Sequence, residues 1–490
     1  MITSTPLVHR TRRFESFVSR RSRVLSALAA ATVACGGGAS SDGTTVTPTP
    51  SVASISLSQT SASLFLTAAL QLGATPRDAS GNAMSGQTIT WTSSSPSIAS
   101  VTPAGLVTAI GSGTATITAA AGSQSASATI TSVAIGVAID SGVQLFHAHQ
   151  ADAMEMTEVP DMHTAILKQT DGSYRVWISG RFKNDSIEGA TALVTTRDFL
   201  TYSPVGSTTV AQPVLIPSCR YPFAVSCGNN FDADYAGADW VYPASDGTDL
   251  LMLYHAQTKY YGGTTAPDQT NDPSWSVVGL ARSSDQGVTW TGRTSVVSGT
   301  DAKPTTRPGN GIYGAVEPGA IAANGYVYVY YSYFPLSGPP GIQAARAPLS
   351  GDGAPGTWIK YNNGFSSSPG LGGVGTTVVQ TGANCTRPAQ PWPTFSAYLN
   401  AYALIFICKE GWFFSLSTDL VTWTQPQQFL TSTAGEFNGP TEENVILVTP
   451  GNVMQVIGQT GYVLYAYTPD WKGGTTHELW MRNFRFSRTP

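Results

Sequence analysis

Tyr326-Val327-Tyr328-Val329-Tyr330-Tyr331-Ser332-Tyr333 decides the fold. Aromatic and β-branched residues in a run of this length favour a strand, and Gly325 in front of it marks a turn. Strands of the same kind recur as SYRVWISG from Ser173, TDLLMLYHA from Thr248, YALIFIC from Tyr402 and VMQVIGQT from Val453. The landmarks Tyr174, Leu250, Tyr326 and Tyr402 fall at intervals of 76 residues. An apolar strand precedes each one, near 163–169, 239–244, 318–323, 394–399 and 444–449. A third follows near 190–196, 275–283, 342–348, 411–417 and 461–467. A long repeat made only of strands reads as a β-propeller with one unit per blade, so residues 160–490 are expected to form five blades. The starts of the first strands then converge on one mouth of a central channel.

Three of the third strands run into related turns. Ser283-x-Asp285-x-Gly287-x-Thr289-Trp290 matches the Asp-box of sialidase-like propellers at every position. Ser417-Thr418-Asp419-Leu420-Val421-Thr422-Trp423 is a related turn, and Thr196-Arg197-Asp198-Phe199-Leu200-Thr201-Tyr202 a looser copy. Such turns speak for the fold and not for the chemistry.

Upstream, residues 52–133 alternate in short strands such as Val52-Ala53-Ser54-Ile55-Ser56-Leu57, and Trp91 supplies one large core side chain. This pattern predicts a small β-sandwich. The succession Trp91-Thr92-Ser93-Ser94, Ala99-Ser100-Val101, Gly105-Leu106-Val107-Thr108-Ala109 and Gly113-Thr114-Ala115-Thr116-Ile117-Thr118-Ala119 resembles the group 2 bacterial immunoglobulin-like domain. The resemblance implies a spacer or adhesion module. The expected fold is therefore all-β, a sandwich followed by a propeller. Residues 134–159 are expected to be a linker; the His147, His149, Asp152, Glu155 and Glu158 cluster within it has no metal-ligand spacing.

Residues 1–35 read as an export signal. Arg20, Arg21 and Arg23 precede an apolar run, Val24 to Ala34, that is too short for a permanent bilayer span. Thr32-Val33-Ala34-Cys35 resembles a bacterial lipoprotein cleavage site, which implies a lipid anchor on Cys35; a simple secretory signal is the alternative. The Gly/Ser/Thr/Pro stretch 36–51 is then a flexible tether. The protein is expected at the outer membrane or cell surface, or otherwise in the periplasm or medium. An oxidising compartment permits disulfides among Cys219, Cys227, Cys385 and Cys408. Cys219–Cys227 with Cys385–Cys408 is one of three connectivities, and no CxxC spacing supports zinc. The chain carries a formal charge of −4, but its leader holds six Arg and one Glu, so the body is more acidic still. That balance excludes a nucleic-acid partner, which calls for a basic face. No oligomeric state is legible.

Acids recur at the start of the first strands: Asp161 in blade one, Asp239 in blade two, with Asp232 and Asp234 upstream, Glu317 in blade three, and Glu442 and Glu443 in blade five. Blade four has Trp392. Glycosidic cleavage needs one carboxylic acid to protonate the leaving oxygen and one carboxylate to activate water from the other face. A third acid can hold the proton on the donor by like-charge repulsion. Trp240, Tyr313 and Trp392 are candidate sugar platforms, His255 and Arg307 candidate residues of the mouth, and Glu442 a candidate for a substrate hydroxyl. A strand-capping Asp161 and a core role for the aromatics are the plain alternatives.

On these residues the propeller resembles the glycoside hydrolases of family 43 and their relatives. The resemblance implies a carbohydrate substrate, no required cofactor, and hydrolysis with inversion. It assigns the base to Asp161, the pKa modulator to Asp239 and the acid to Glu317, with Met162 and Trp240 standing where the family has Pro. It implies that His163 stands at the channel axis, against water or a structural cation; a buried, hydrogen-bonded His is the alternative. Inversion calls for base and acid carboxyls roughly 6.5–9.5 Å apart. Two other readings remain. A sialidase-like enzyme would draw a carboxylate-binding triad from Arg220, Arg307, Arg346 and Arg387, although sialidases have six blades. A propeller without turnover would bind carbohydrate or serve adhesion.

Overall fold

Alternate side chains of the strand Tyr326–Phe334 feed two different cores. Val327, Val329 and Tyr331 pack in one buried cluster with Leu251 and Leu253, while Tyr328 and Tyr330 pack in another with Leu404, Phe406 and Phe413. A strand covered on both faces reads as a near-continuous apolar run, which is what makes these middle strands conspicuous. The computed structural model describes residues 51–145, 156–157, 159–182, 187–205, 213–218, 230–260, 273–309, 311–379, 385–431, 441–453, 455–469 and 477–490. The expectations for Cys35, Cys219, Cys227, Arg220, the leader and the His147-to-Glu158 cluster fall outside the described residues.

Among the described residues, the strands after the sandwich form successive groups, each antiparallel within itself and called a sheet below; the second and third are joined into one nine-stranded sheet by the parallel pairing of Ser274–Ser276 with Ile312–Gly314. The first is built on Ala165–Lys168, Tyr174–Phe182 and Ile187–Thr196, with Ser203–Pro204 and Pro213–Leu215 sharing its outer edge. The second is Tyr235–Pro243, Leu250–Lys259, Ser274–Ser283 and Thr291–Val297. The third is Ile312–Ala323, Tyr326–Phe334, Gly341–Pro348 and Ile359–Lys360. The fourth is Ala389–Ser396, Ala401–Cys408, Gly411–Ser417 and Gln427–Thr431. A disulfide, Cys385–Cys408, ties the approach to its first strand to the end of its second, with Cα atoms 5.3 Å apart. The fifth sheet comprises Thr441–Val448, Thr460–Thr468 and Glu478–Thr489, and its fourth strand comes from far upstream. At the seam between last and first sheets, the Gly451 amide donates to the Tyr174 hydroxyl at 2.7 Å and Val159 N donates to the His477 carbonyl at 3.2 Å. The fold is all-β, an immunoglobulin-like sandwich leading into a propeller.

Two segments differ from the sequence expectation. The second strand of the fifth sheet is Thr460–Thr468, not the segment from Val453, and the third is Glu478–Thr489. Val456–Ile457 instead pairs in parallel with Phe395 and Ser396 of the fourth sheet, so its apolar pair covers an edge between two sheets. Residues 134–139, expected as linker, are strand. Gln124–Ile139 runs unbroken out of the sandwich, and its last part pairs with the final strand from Ala134↔Thr489 to Ile139↔Phe484. The physical reason is its alternation: Ile135 is buried and Val137 and Ile139 are half-buried against the same core as Phe484 and Phe486. The sandwich has its own small core of Leu72, Ala99, Val107, Ala115, Ile117, Ala128 and Ile130, with Trp91 packed on it.

Candidate active site

The first strands of the second, third, fourth and fifth sheets each carry an irregularity. In the second sheet Asp239 is the extra residue between the Ala238↔Tyr254 and Trp240↔Leu253 pairs. Glu317 and Pro318 face the single residue Tyr331, Gln390 and Pro391 face Phe406, and Asn444 and Val445 face Tyr465. These are β-bulges, which re-aim a side chain out of the strand's alternation. Glu317, Gln390 and Asn444 have φ of 49°, 54° and 56°, a left-handed backbone uncommon outside glycine. A side chain of the preceding sheet catches each of the three amides. Glu317 N donates to His255 Nδ1 at 3.1 Å, Gln390 N to Ser332 Oγ at 2.8 Å, and Asn444 N to Gln390 Oε1 at 2.7 Å. Because His255 Nδ1 accepts, its proton is on Nε2, which donates to Ser276 Oγ at 3.1 Å.

The bulges bring the acids into one connected cluster. His477 stands between Asp161 and Glu443, with Nδ1 3.7 Å from Asp161 Oδ1 and Nε2 3.4 Å from Glu443 Oε1. Gln390 Nε2 donates to Glu443 Oε2 at 3.3 Å and to Glu317 Oε1 at 3.0 Å. Asp161 and Glu317 are thus joined through His477, Glu443 and Gln390 around one end of the ring. Asp161 and Glu443 side chains are each 25% exposed, so solvent reaches this end.

A buried pair adjoins the cluster. His163 and Asp239 are fully buried, and His163 Nδ1 lies 3.3 Å from Asp239 Oδ1. Burial pushes the Asp239 carboxyl well above its ordinary range, and the nearby charge of Glu317 adds to the rise; the His255 and His163 amides oppose it. Burial also pulls His163 down to about 4, against the Gln390 and Pro318 carbonyls beside it, and His255 to about 3. The low-dielectric surroundings therefore favour the neutral form of all three. The Trp392 ring closes over His163 with centroids 5.3 Å apart. Among the described residues no three His, Cys, Asp or Glu side chains are grouped to hold a metal ion; His163 is held by Asp239.

The expected site residues take different places. Asp161 and Glu317 belong to the connected cluster, Asp239 lies near the Glu317 charge and pairs with His163, and His255 lies buried as the acceptor for the Glu317 amide. Asp232 and Asp234 are engaged elsewhere, Asp232 with Tyr254 and Arg293, Asp234 with the Lys259 amide. Trp240 is stacked on Tyr242 inside the core, and Trp392 is also buried. Tyr313 is the half-buried member of the three platforms, its hydroxyl donating to Gly309 O at 3.1 Å. Glu442 pairs with Arg482, while Glu443, on the opposite face of the strand, reaches the cluster. Sequence reasoning missed Gln390 and His477. Gln390-Pro391 repeats the phase of Glu317-Pro318 and carries that signal; His477, just before the last strand, carries none.

No curated protein matches this chain. Solved structures similar to it include an alpha-L-arabinofuranosidase from Podospora anserina in complex with cellotriose, 10% identical, covering 71% of this chain and 96% of that one, with a TM-score of 0.42. A family 117 glycoside hydrolase of the marine bacterium Zobellia galactanivorans is 12% identical, covering 72% and 90%, with a TM-score of 0.42. An alpha-L-arabinofuranosidase from Lactobacillus brevis is 11% identical, covering 69% and 94%, with a TM-score of 0.39. Residues 51–132 match the family model of the bacterial Ig-like domain (group 2), and this segment is a domain of that family.

Proposed function

We propose that the propeller is a glycoside hydrolase that acts with inversion. The observation that carries this reading is the cluster itself: Asp161 and Glu317 at one solvent-reached end of the ring, separated by intervening polar side chains, with Asp239 buried beside Glu317. Asp161 takes a proton from water as the water oxygen bonds to the anomeric carbon. Glu317 gives its proton to the leaving oxygen as the glycosidic bond breaks. Burial raises the Asp239 carboxyl, and the nearby charge of Glu317 adds to the rise, so the two carboxyls lie within electrostatic reach of each other. Three of the arginines that the sialidase-like alternative would draw on are engaged, while Arg220 lies outside the described residues. Arg346 is stacked between Tyr326 and Phe365, Arg387 lies over Phe334, and Arg307 donates to the Tyr260 carbonyl.

Export and a lipid anchor on Cys35 belong to the same proposal and rest on the sequence of residues 1–41. The test is hydrolysis of nitrophenyl glycosides and plant polysaccharides by the full chain, with the product anomer read by NMR. Glu317→Gln is expected to lower kcat by about 100- to 10,000-fold, the usual worth of general acid catalysis. Full activity of Glu317→Gln on every cleaved glycoside, or a retained anomer, would overturn the reading.

A further inference from the structure

Gln390 occupies the position in the fourth sheet that Glu317 occupies in the third, and there it is an amide rather than an acid. It is buried, 4% exposed, and both ends of its carboxamide have hydrogen-bond partners. Its Oε1 accepts the Asn444 amide at 2.7 Å, which fixes the orientation of the carboxamide. Its Nε2 must then face the carboxylates, and it donates to Glu317 Oε1 and Glu443 Oε2 at 3.0 and 3.3 Å. The ring is held from outside as well, because Gln390 N donates to Ser332 Oγ.

We propose that Gln390 is a positioning residue that decides which oxygen of Glu317 carries the transferable proton. An oxygen that accepts an N–H bond is the carbonyl oxygen of a neutral carboxyl group, so Glu317 carries its proton on Oε2. When that proton passes to the leaving oxygen, the charge left on Glu317 meets the Gln390 N–H already in place, with no reorganisation. The same amide lets Glu443 sit beside Glu317 without a third carboxylate between them. The titratable groups around Glu317 are Asp239, whose pKa feels its charge, and His255, which accepts from its amide; Glu443 shares the Gln390 Nε2 donor with it, His477 and Asp161 follow beyond Glu443, and His163 pairs with Asp239. The Gln390 carboxamide does not titrate, unlike the acid and imidazole groups of that set, and its effect is therefore separable from theirs. The inference rests on the glycosidase reading only for the use made of the proton.

The test is carboxyl ¹³C NMR of glutamate-labelled full-length protein, with the Glu317 signal assigned by its loss in Glu317→Gln. Gln390→Leu removes the donor to the charged form and is expected to raise the Glu317 pKa by about 1 to 2. Gln390→Glu keeps the shape and the acceptor for Asn444 N but adds a like charge, and is expected to raise it further. In the unaltered protein the Gln390 side-chain N–H resonances are expected to titrate with Glu317. A Glu317 pKa that stays put in both variants overturns the proposal. So does a flat Gln390 N–H signal, which decides the matter even where a variant fails to fold. With 4-nitrophenyl α-L-arabinofuranoside or β-D-xyloside as probe, the basic limb of kcat/KM is expected to move with the NMR value. A moving Glu317 pKa with neither probe nor any other glycoside hydrolysed leaves the positioning role standing and removes the hydrolase reading.

Discussion

His255 shows how one buried side chain serves both stability and the site. It is fully enclosed, neutral, and bonded at both ring nitrogens, to the Glu317 amide and to Ser276. Its folded pKa of about 3 lies below the ordinary 6.5. The unfolded chain therefore binds the extra proton first, and stability is lost as pH falls from about 6.5 towards 3. Between pH 7 and pH 5 that single group costs about 2 kcal/mol. Asp239 has the opposite sign, since its raised pKa gives stability that fades as pH rises above its unfolded value, but it is common to wild type and variant. His255→Gln is expected to be less stable at pH 7 and to lose about 2 kcal/mol less than wild type on going to pH 5. Denaturant midpoints at the two pH values measure this, and equal losses in both proteins would rule it out.

The turns and bulges show what was legible at the level of elements. The Asp285 turn could be read from the chain because its contacts are local. Asp285 Oδ1 accepts Val288 N and Thr289 N at 3.1 and 2.9 Å, and Ser283 Oγ accepts Gly287 N at 2.8 Å. The Gly287 carbonyl accepts Trp290 Nε1 at 3.1 Å and also Trp177 Nε1 from the first sheet at 3.0 Å, a bond that no local pattern announces. Asp285→Ala is expected to cost about 1–2 kcal/mol, as loss of a side-chain cap does, with kcat on any substrate unchanged. A lowered melting temperature at constant turnover checks both halves. Asp161, Asp239 and Glu317 were visible because their strand phase repeats. Gln390 was passed over for Trp392, two residues on, because an amide between acids does not look like part of an acid ring. The bulges themselves were invisible: a left-handed Glu317 is stabilised by His255, 62 residues away. The fifth middle strand went astray because Val456-Ile457 has the right composition and lies at the wrong edge.

For the whole molecule, the decisive element is Gln124–Ile139. It begins in the sandwich, paired with Gly113–Ala121, and ends as the outer strand of the last sheet. The sandwich also touches the fourth sheet, where Gln425 N donates to Thr67 Oγ1 at 2.8 Å. The connector expected between the domains is thus part of the propeller's own hydrogen bonding. A chain beginning at residue 134 keeps the strand that pairs with Phe484–Thr489 and is expected to fold as a propeller. A chain beginning at residue 142 exposes that edge and is expected to aggregate, as unpaired edges do. Size-exclusion chromatography and circular dichroism of the two chains compare them, and a monomeric, folded shorter chain would show the strand to be dispensable.

That pairing has a consequence in time. Residues 134–139 leave the ribosome hundreds of residues before their partner, Phe484–Thr489, exists. Pairings so remote in sequence close slowly, since the chain entropy is lost before the contacts compensate. Until the last strand arrives, His477 and Glu443 have no settled relation to Asp161, because the seam between the last and first sheets is still open. The cluster is therefore assembled at the end of folding, by the same event that closes the ring. A nascent or clipped chain would carry every acid of the site and still lack the arrangement that makes them act together.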